Sequence, residues 1–264
     1  MTDELYREVH GTRGPHVLFV HGYLSSRAQW RLNVDALTEV ARVVIVELWG
    51  HGRSPAPAEP HMYTPASYVA AFERIREDLG EERWVICGQS LGAALTLSYA
   101  LDHADRVAGH MFTNSTSALA EEGWGDLVRP AMEAQARRFE AEGRSALRAH
   151  PLHPARATRI PEAVRDELVA DCELHDLRGL ALTGLHTVPG SSCRARAGEN
   201  AVASLLVAGT REKRFAGHLR FAEARMPHLE IVRADAGHAV NIEAAAAFNE
   251  AAAAFIRRHA GRAG

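Results

Sequence analysis

Lysine is almost missing from this chain: Lys213 stands alone among 30 basic residues, and the rest are arginine. Such a bias reads as genome composition and carries no function by itself. Cysteine is nearly as scarce. Cys87, Cys172 and Cys193 form an odd set with no CxxC spacing, and Cys87 lies inside an apolar run, so buried reduced thiols are expected rather than a disulfide. Thiols kept reduced point to the cytoplasm. No stretch approaches the roughly 20 apolar residues that span a bilayer, and the opening Met1-Thr2-Asp3-Glu4 is acidic where an export signal would be basic and then apolar. Neither membrane insertion nor export is expected. A net charge of −3 leaves no electrostatic footprint for nucleic acid or an anionic membrane, and a small molecule is the expected partner. The histidines show no HExxH spacing and the Gly11 to Gly14 stretch no phosphate-binding fingerprint, so no metal and no cofactor are expected. Oligomeric state has no signal here.

What is present is ordinary in amount and ordered in pattern. The 264 residues, 47% hydrophobic and 24% charged, suit one large core without repeats or low-complexity blocks. Short β-branched runs at 17–20, 43–48, 84–87, 107–113, 205–208 and 229–232 predict strands. Between them Trp30, Val34 and Leu37 share one helix face, as do Tyr68, Phe72, Ile75 and Leu79. This alternation predicts an α/β fold with a mostly parallel central sheet and helices on both faces. Residues 115–203 break the rhythm: they show no clear strand, and 130–142 and 161–172 read as amphipathic helices opened by proline. The expected organisation is a core of residues 1–114 and 204–264, with 115–203 as a helical cap inserted over the sheet. Within 129–196 eleven arginines face nine acidic residues. They read as solvated helix faces, with a few arginines turned into a pocket for an anionic substrate as the alternative.

Three short motifs carry chemistry. Gly88-Gln89-Ser90-Leu91-Gly92 follows a strand-like run and precedes a helix-like one, the setting of a nucleophile elbow that holds a serine hydroxyl above the sheet edge. The following helix aims its first N–H groups at the place where negative charge would develop. His21-Gly22 ends another strand, so the backbone N–H groups of Tyr23 and Leu91 could form an oxyanion hole, with His21 bracing the turn. Gly237-His238 follows the last strand, where a general base could reach Ser90. His51 reads as a structural loop residue.

Together with Trp49-Gly50-His51-Gly52-Arg53-Ser54, these blocks stand in the order and spacing of the α/β-hydrolase superfamily, which the chain resembles over nearly its whole length. The resemblance implies a catalytic triad of Ser90, an acid and His238, and puts the acid at Glu212, in the turn after the penultimate strand. Against this, Glu212 could be a surface residue paired with Arg214 or Lys213, leaving Asp235 or a residue after Thr113 as the acid. Residues 146–152, 178–181 and 211–215 are similar to the menaquinone-pathway lyases of the MenH type. Those carry a tyrosine before the serine and an arginine four residues after it, where this chain has Gln89 and Ala94. The expected function is therefore a serine esterase acting on a small carboxylic ester, thioester or lactone. A lyase eliminating pyruvate from a cyclohexene carboxylate and a non-hydrolytic ligand sensor are the alternatives. Trp124, Phe139, Leu147, Leu152 and Leu185 are candidate substrate-pocket walls, or else core of the insertion.

Overall fold

Runs of valine and isoleucine too short for buried helices form a single sheet of seven strands. They are β1 (Arg7–His10), β2 (His16–Val20), β3 (Arg42–Val46), β4 (Trp84–Gly88), β5 (Val107–Thr113), β6 (Ser204–Gly209) and β7 (Leu229–Ala234), in the order β1-β3-β2-β4-β5-β6-β7. The structure, a computed structural model, describes residues 3–260; Met1 and Thr2 of the acidic opening lie outside the described residues. Every pairing is parallel except that of β1 with β3. Six strands match the predicted runs. The edge strand β1, Arg-Glu-Val-His, was not predicted, because a half-exposed four-residue strand carries little apolar signal.

Alternation along the strands sorts side chains into two layers. Leu18, Val20, Val44, Val46 and Ile86 face one side, packed with Tyr68, Phe72, Leu95 and Tyr99. Val17, Phe19, Val43, Ile45 and Val85 face the other, packed with Trp30, Leu37, Phe248 and Phe255. The helices that supply these partners are α1 (Val34–Thr38), α2 (Pro65–Asp78), α3 (Leu91–Asp102) and, at the end of the chain, α10 (Ala245–His259). The predicted single face of Trp30, Val34 and Leu37 is split: Trp30 closes a 3₁₀ turn and the other two belong to α1, yet all three pack on the same layer.

Between β5 and β6 run α4 (Trp124–Glu142), α5 (Arg144–Ala149), α6 (Glu162–Cys172) and α7 (Leu177–Leu182), with no strand among the described residues there. Pro161 stands just ahead of α6, as its position predicts, but Pro130 does not open α4, which starts six residues earlier at Trp124. A proline inside a helix forfeits one backbone hydrogen bond; α4 nonetheless runs through Pro130 and packs on α7. After β6 come α8 (Ala216–Arg225) and α9 (Val240–Glu243). All three cysteines are buried and unpaired. Among the described residues no helix is long and apolar enough to cross a membrane.

Candidate active site

The turn from β4 into α3 is tight, and the residues around Ser90 show why. A Cβ on Gly88 would lie 2.3 Å from the Gly92 carbonyl oxygen, and one on Gly92 would lie 2.2 Å from the Val20 carbonyl oxygen. Glycine at both flanks thus lets the turn press against β2. Ser90 itself sits at φ 53°, ψ −117°, a region costly for a residue with a side chain and typical of functional turns. The Ser115 hydroxyl donates to the Ser90 carbonyl at 2.7 Å and pins the turn from β5's end; Ser115 has no sequence signal, since the contact joins distant segments.

His238 follows β7 on a loop whose Gly237 N–H donates to the Glu243 carboxylate at 2.9 Å. Its Nδ1 lies 3.0 and 3.1 Å from the two oxygens of Glu212. A carboxylate only accepts, so Nδ1 is the donor, which in the neutral ring leaves Nε2 as the acceptor. Glu212 is held from behind by Asn114, which is fully buried at the end of β5. Asn114 Nδ2 donates to Glu212 at 2.8 Å, while the same amide exchanges two hydrogen bonds of 2.9 Å with Gly209. Burial acts to raise the Glu212 pKa, but His238, Asn114 and Arg214 outweigh it and hold the carboxyl below its ordinary 4.5. Asp235 is exposed and pairs with Arg211, and the residue after Thr113 is an amide. Sequence reasoning missed Asn114 because its role exists only once β5 and β6 are neighbours.

On the other side of Ser90, the loop after β2 lies close: a Cβ on Gly22 would stand 2.9 Å from that of Ser90. Among the described residues no backbone acceptor takes the N–H of Tyr23 or of Leu91, the first residue of α3. His21 and His51 are buried braces. His21 donates from Nδ1 to the Gly22 carbonyl at 2.7 Å and accepts from Leu48 N–H at 3.1 Å. His51 donates to the Trp49 carbonyl at 3.0 Å and accepts from Leu24 N–H at 3.2 Å.

Ser90 and His238 line one cavity of about 510 Å³, whose further wall is formed by residues 151–154 and 156–160. Of the five predicted pocket residues, Leu152 lies on that wall. Phe139 and Leu147 pack instead with Leu24 and Leu180. Leu185 lines a separate surface groove, and Trp124 does not border the Ser90 cavity. The cause is the seating of α4 on α7, which leaves the loop between α5 and α6 to cover Ser90. Among the described residues no three His, Cys, Asp or Glu side chains gather as metal ligands do.

A family model described as alpha/beta hydrolase fold matches residues 15–245. The putative 2-succinyl-6-hydroxy-2,4-cyclohexadiene-1-carboxylate synthase of Bacillus subtilis is 25% identical over 256 residues, 91% of this chain and 89% of that protein. The (lyso)-N-acylphosphatidylethanolamine lipase of Bos taurus is 32% identical over 123 residues, 46% of this chain but only 34% of the lipase. Among solved structures, the enol-lactonase from Burkholderia xenovorans LB400 superposes with a TM-score of 0.81 at 23% identity, covering 96% of each chain. MenH from S. aureus superposes at 0.83 with 16% identity, over 98% of this chain and 99% of that one. With a sheet, a serine turn and a family match that all agree, the chain belongs to the alpha/beta hydrolase fold family.

Proposed function

We propose that this protein is a serine hydrolase that opens a small carboxylic ester, thioester or lactone through an acyl-enzyme at Ser90. One observation carries the reading: a strained serine and a histidine already hydrogen-bonded to a carboxylate border the same cavity. In this mechanism His238 Nε2 takes the Ser90 proton as Oγ attacks the carbonyl, and Glu212 stabilises the imidazolium that forms. The free N–H groups of Tyr23 and Leu91 hold the oxyanion. His238 then returns the proton to the leaving group, and a water activated by the same ring releases the acyl group. Residues 115–203 act as a cap, and a cavity of about 510 Å³ suits a small substrate.

The long match to the Bacillus synthase keeps a lyase in view as the second reading. Ala94 speaks against it. That residue is buried in an apolar cluster with Leu97 and Phe112 and does not border the cavity, so α3 offers no cation to a substrate carboxylate.

The test is hydrolysis of p-nitrophenyl acetate, butyrate and octanoate by wild type and Ser90→Ala. Ser90-dependent release with a preference for short chains is the expected result. Absence of release by folded wild type would overturn the hydrolase reading in favour of the lyase or a ligand sensor.

A further inference from the structure

The cavity wall that covers Ser90 carries positive charge that no protein carboxylate neutralises. Arg156 and Arg159 both line the cavity. Arg156 donates only to the backbone carbonyls of His150 and Ala149, at 3.3 and 3.5 Å, which orient the guanidinium without cancelling its charge. Arg159 is exposed and has neither a hydrogen bond nor an ion pair among the described residues. The one carboxylate on the lining, Glu243, is already taken by Gly237 N–H and Arg211. The same wall has a further surplus of donors. His153 is 5% exposed, its Nδ1 accepts from Ala155 N–H, and its Nε2, which must then carry the proton, has no partner.

Guanidinium groups bind carboxylates through paired N–H donors. A cavity with two uncompensated guanidinium groups therefore favours an anion over a neutral group of equal size. Direction follows from the proposed chemistry. The leaving group must sit beside His238, which protonates it, and that ring is 46% exposed, so the leaving group departs toward solvent. The acyl group is then left toward the residue 151–160 wall. Resting on the serine-hydrolase reading, we infer that the preferred substrate carries a carboxylate on its acyl half, as a half-ester, half-thioester or lactone of a dicarboxylic acid does, held by Arg159 with Arg156 beside it. No arginine on α3 is needed for this recognition, because the cations arrive on the covering loop.

The experiment compares mono-p-nitrophenyl glutarate with p-nitrophenyl valerate, equal in chain length and differing in the terminal carboxylate. Wild type is expected to favour the glutarate in kcat/KM by about tenfold, a difference of about 1.4 kcal/mol, and to lose most of that preference at high salt. Arg159→Gln should cut the ratio several-fold, Arg159→Glu should invert it, and Arg159→Lys should keep most of it. Arg220→Gln, on the exposed face of α8, serves as the control with an unchanged ratio. A wild type that prefers valerate, or a ratio that Arg159→Glu leaves unchanged, overturns the inference. If neither ester is turned over, the hydrolase reading fails and the anion site is judged by binding alone. Monomethyl glutarate should then raise the Tm of Ser90→Ala more than dimethyl glutarate does, and Arg159→Glu should abolish the difference. Equal shifts from the two ligands would overturn it.

Discussion

His21, His51 and His175 form a buried chain of rings with centroids 5.3 Å apart at each step, while His238 stands half-exposed on the opposite flank of Ser90. The buried three have no solvent contact, and each spends ring nitrogens on backbone groups, His175 by accepting from Gly52 N–H at 2.8 Å. Burial pushes His21 down to about 4 and His175 to about 3, and His51 well below its ordinary 6.5. They stay neutral and hold the loops around β2 and β3. Nearby, Arg53 joins Glu47 at 3.3 Å and Asp171 at 3.0 Å, tying the same loops to α6. His238 differs from His21 and His51 in having a carboxylate partner instead of a carbonyl, and from all three in standing half-exposed. One residue type thus serves as a brace where it is buried among backbone groups and as the proposed base where a carboxylate faces it.

Breaking the exposed side of this comparison should have the largest effect. His238→Ala is expected to lower ester turnover by about four orders of magnitude with little change in Tm, and Glu212→Gln by two to four orders, since an amide no longer enforces the Nδ1–H tautomer. Steady-state rates beside thermal melts would check both. Activity retained in Glu212→Gln would place the acid elsewhere.

The buried side should respond to acid instead. Above pH 6.5 the three rings are neutral in folded and unfolded chains alike. Below it only the unfolded chain takes up protons, until the folded values near 4 and 3 are reached. Their contribution is therefore present above pH 6.5 and lost as pH falls, by about 1.4 kcal/mol per pH unit near pH 5 for each ring that stays neutral in the folded chain. Urea midpoints between pH 7 and 5 should trace that slope. His175→Asn, which keeps an acceptor for Gly52 N–H, should flatten it by one ring's share, about 1.4 kcal/mol per pH unit, with the buried His110, also pushed down to about 3, among the rings that keep the remainder; an unchanged slope would show that the ring is not protonated on unfolding in this range.

The smallest effect sharpens the link between the two sides. Asn114→Ala removes a hydrogen bond that lowers the Glu212 pKa, so the carboxyl should titrate higher and the acid limb of the activity profile should move to higher pH. A loss of about tenfold in kcat at neutral pH, near 1.4 kcal/mol, is the expected size. A pH profile identical to that of wild type would reduce Asn114 to a purely structural residue.

Much of this was legible in the chain because it is local. The six predicted strands are continuous apolar runs, and glycine at 88 and 92 marks a crowded turn whatever packs around it. The edge strand β1 was illegible because half of its surface faces water. The start of α4 was misplaced because Pro130 carries a strong first-turn signal that packing on α7 overrides. Three of the five expected wall residues were sought on α4 and α5, while the residues of 115–203 that line the cavity lie mostly in the loop beyond them, where Leu152 alone of the five falls, a stretch with no periodicity to read.

By itself the amino-acid sequence determined the α/β alternation, the strained serine turn and the position of a histidine after the last strand, since each depends on residues within a few positions of one another. Tertiary structure alone decided that Glu212 meets His238 across the ends of β6 and β7, that Asn114 locks that carboxylate from β5, and that Arg156 and Arg159 reach the cavity. These contacts join segments 26 to 98 residues apart or bring a loop over the sheet. Their geometry depends on strand order and helix packing, which no local pattern encodes.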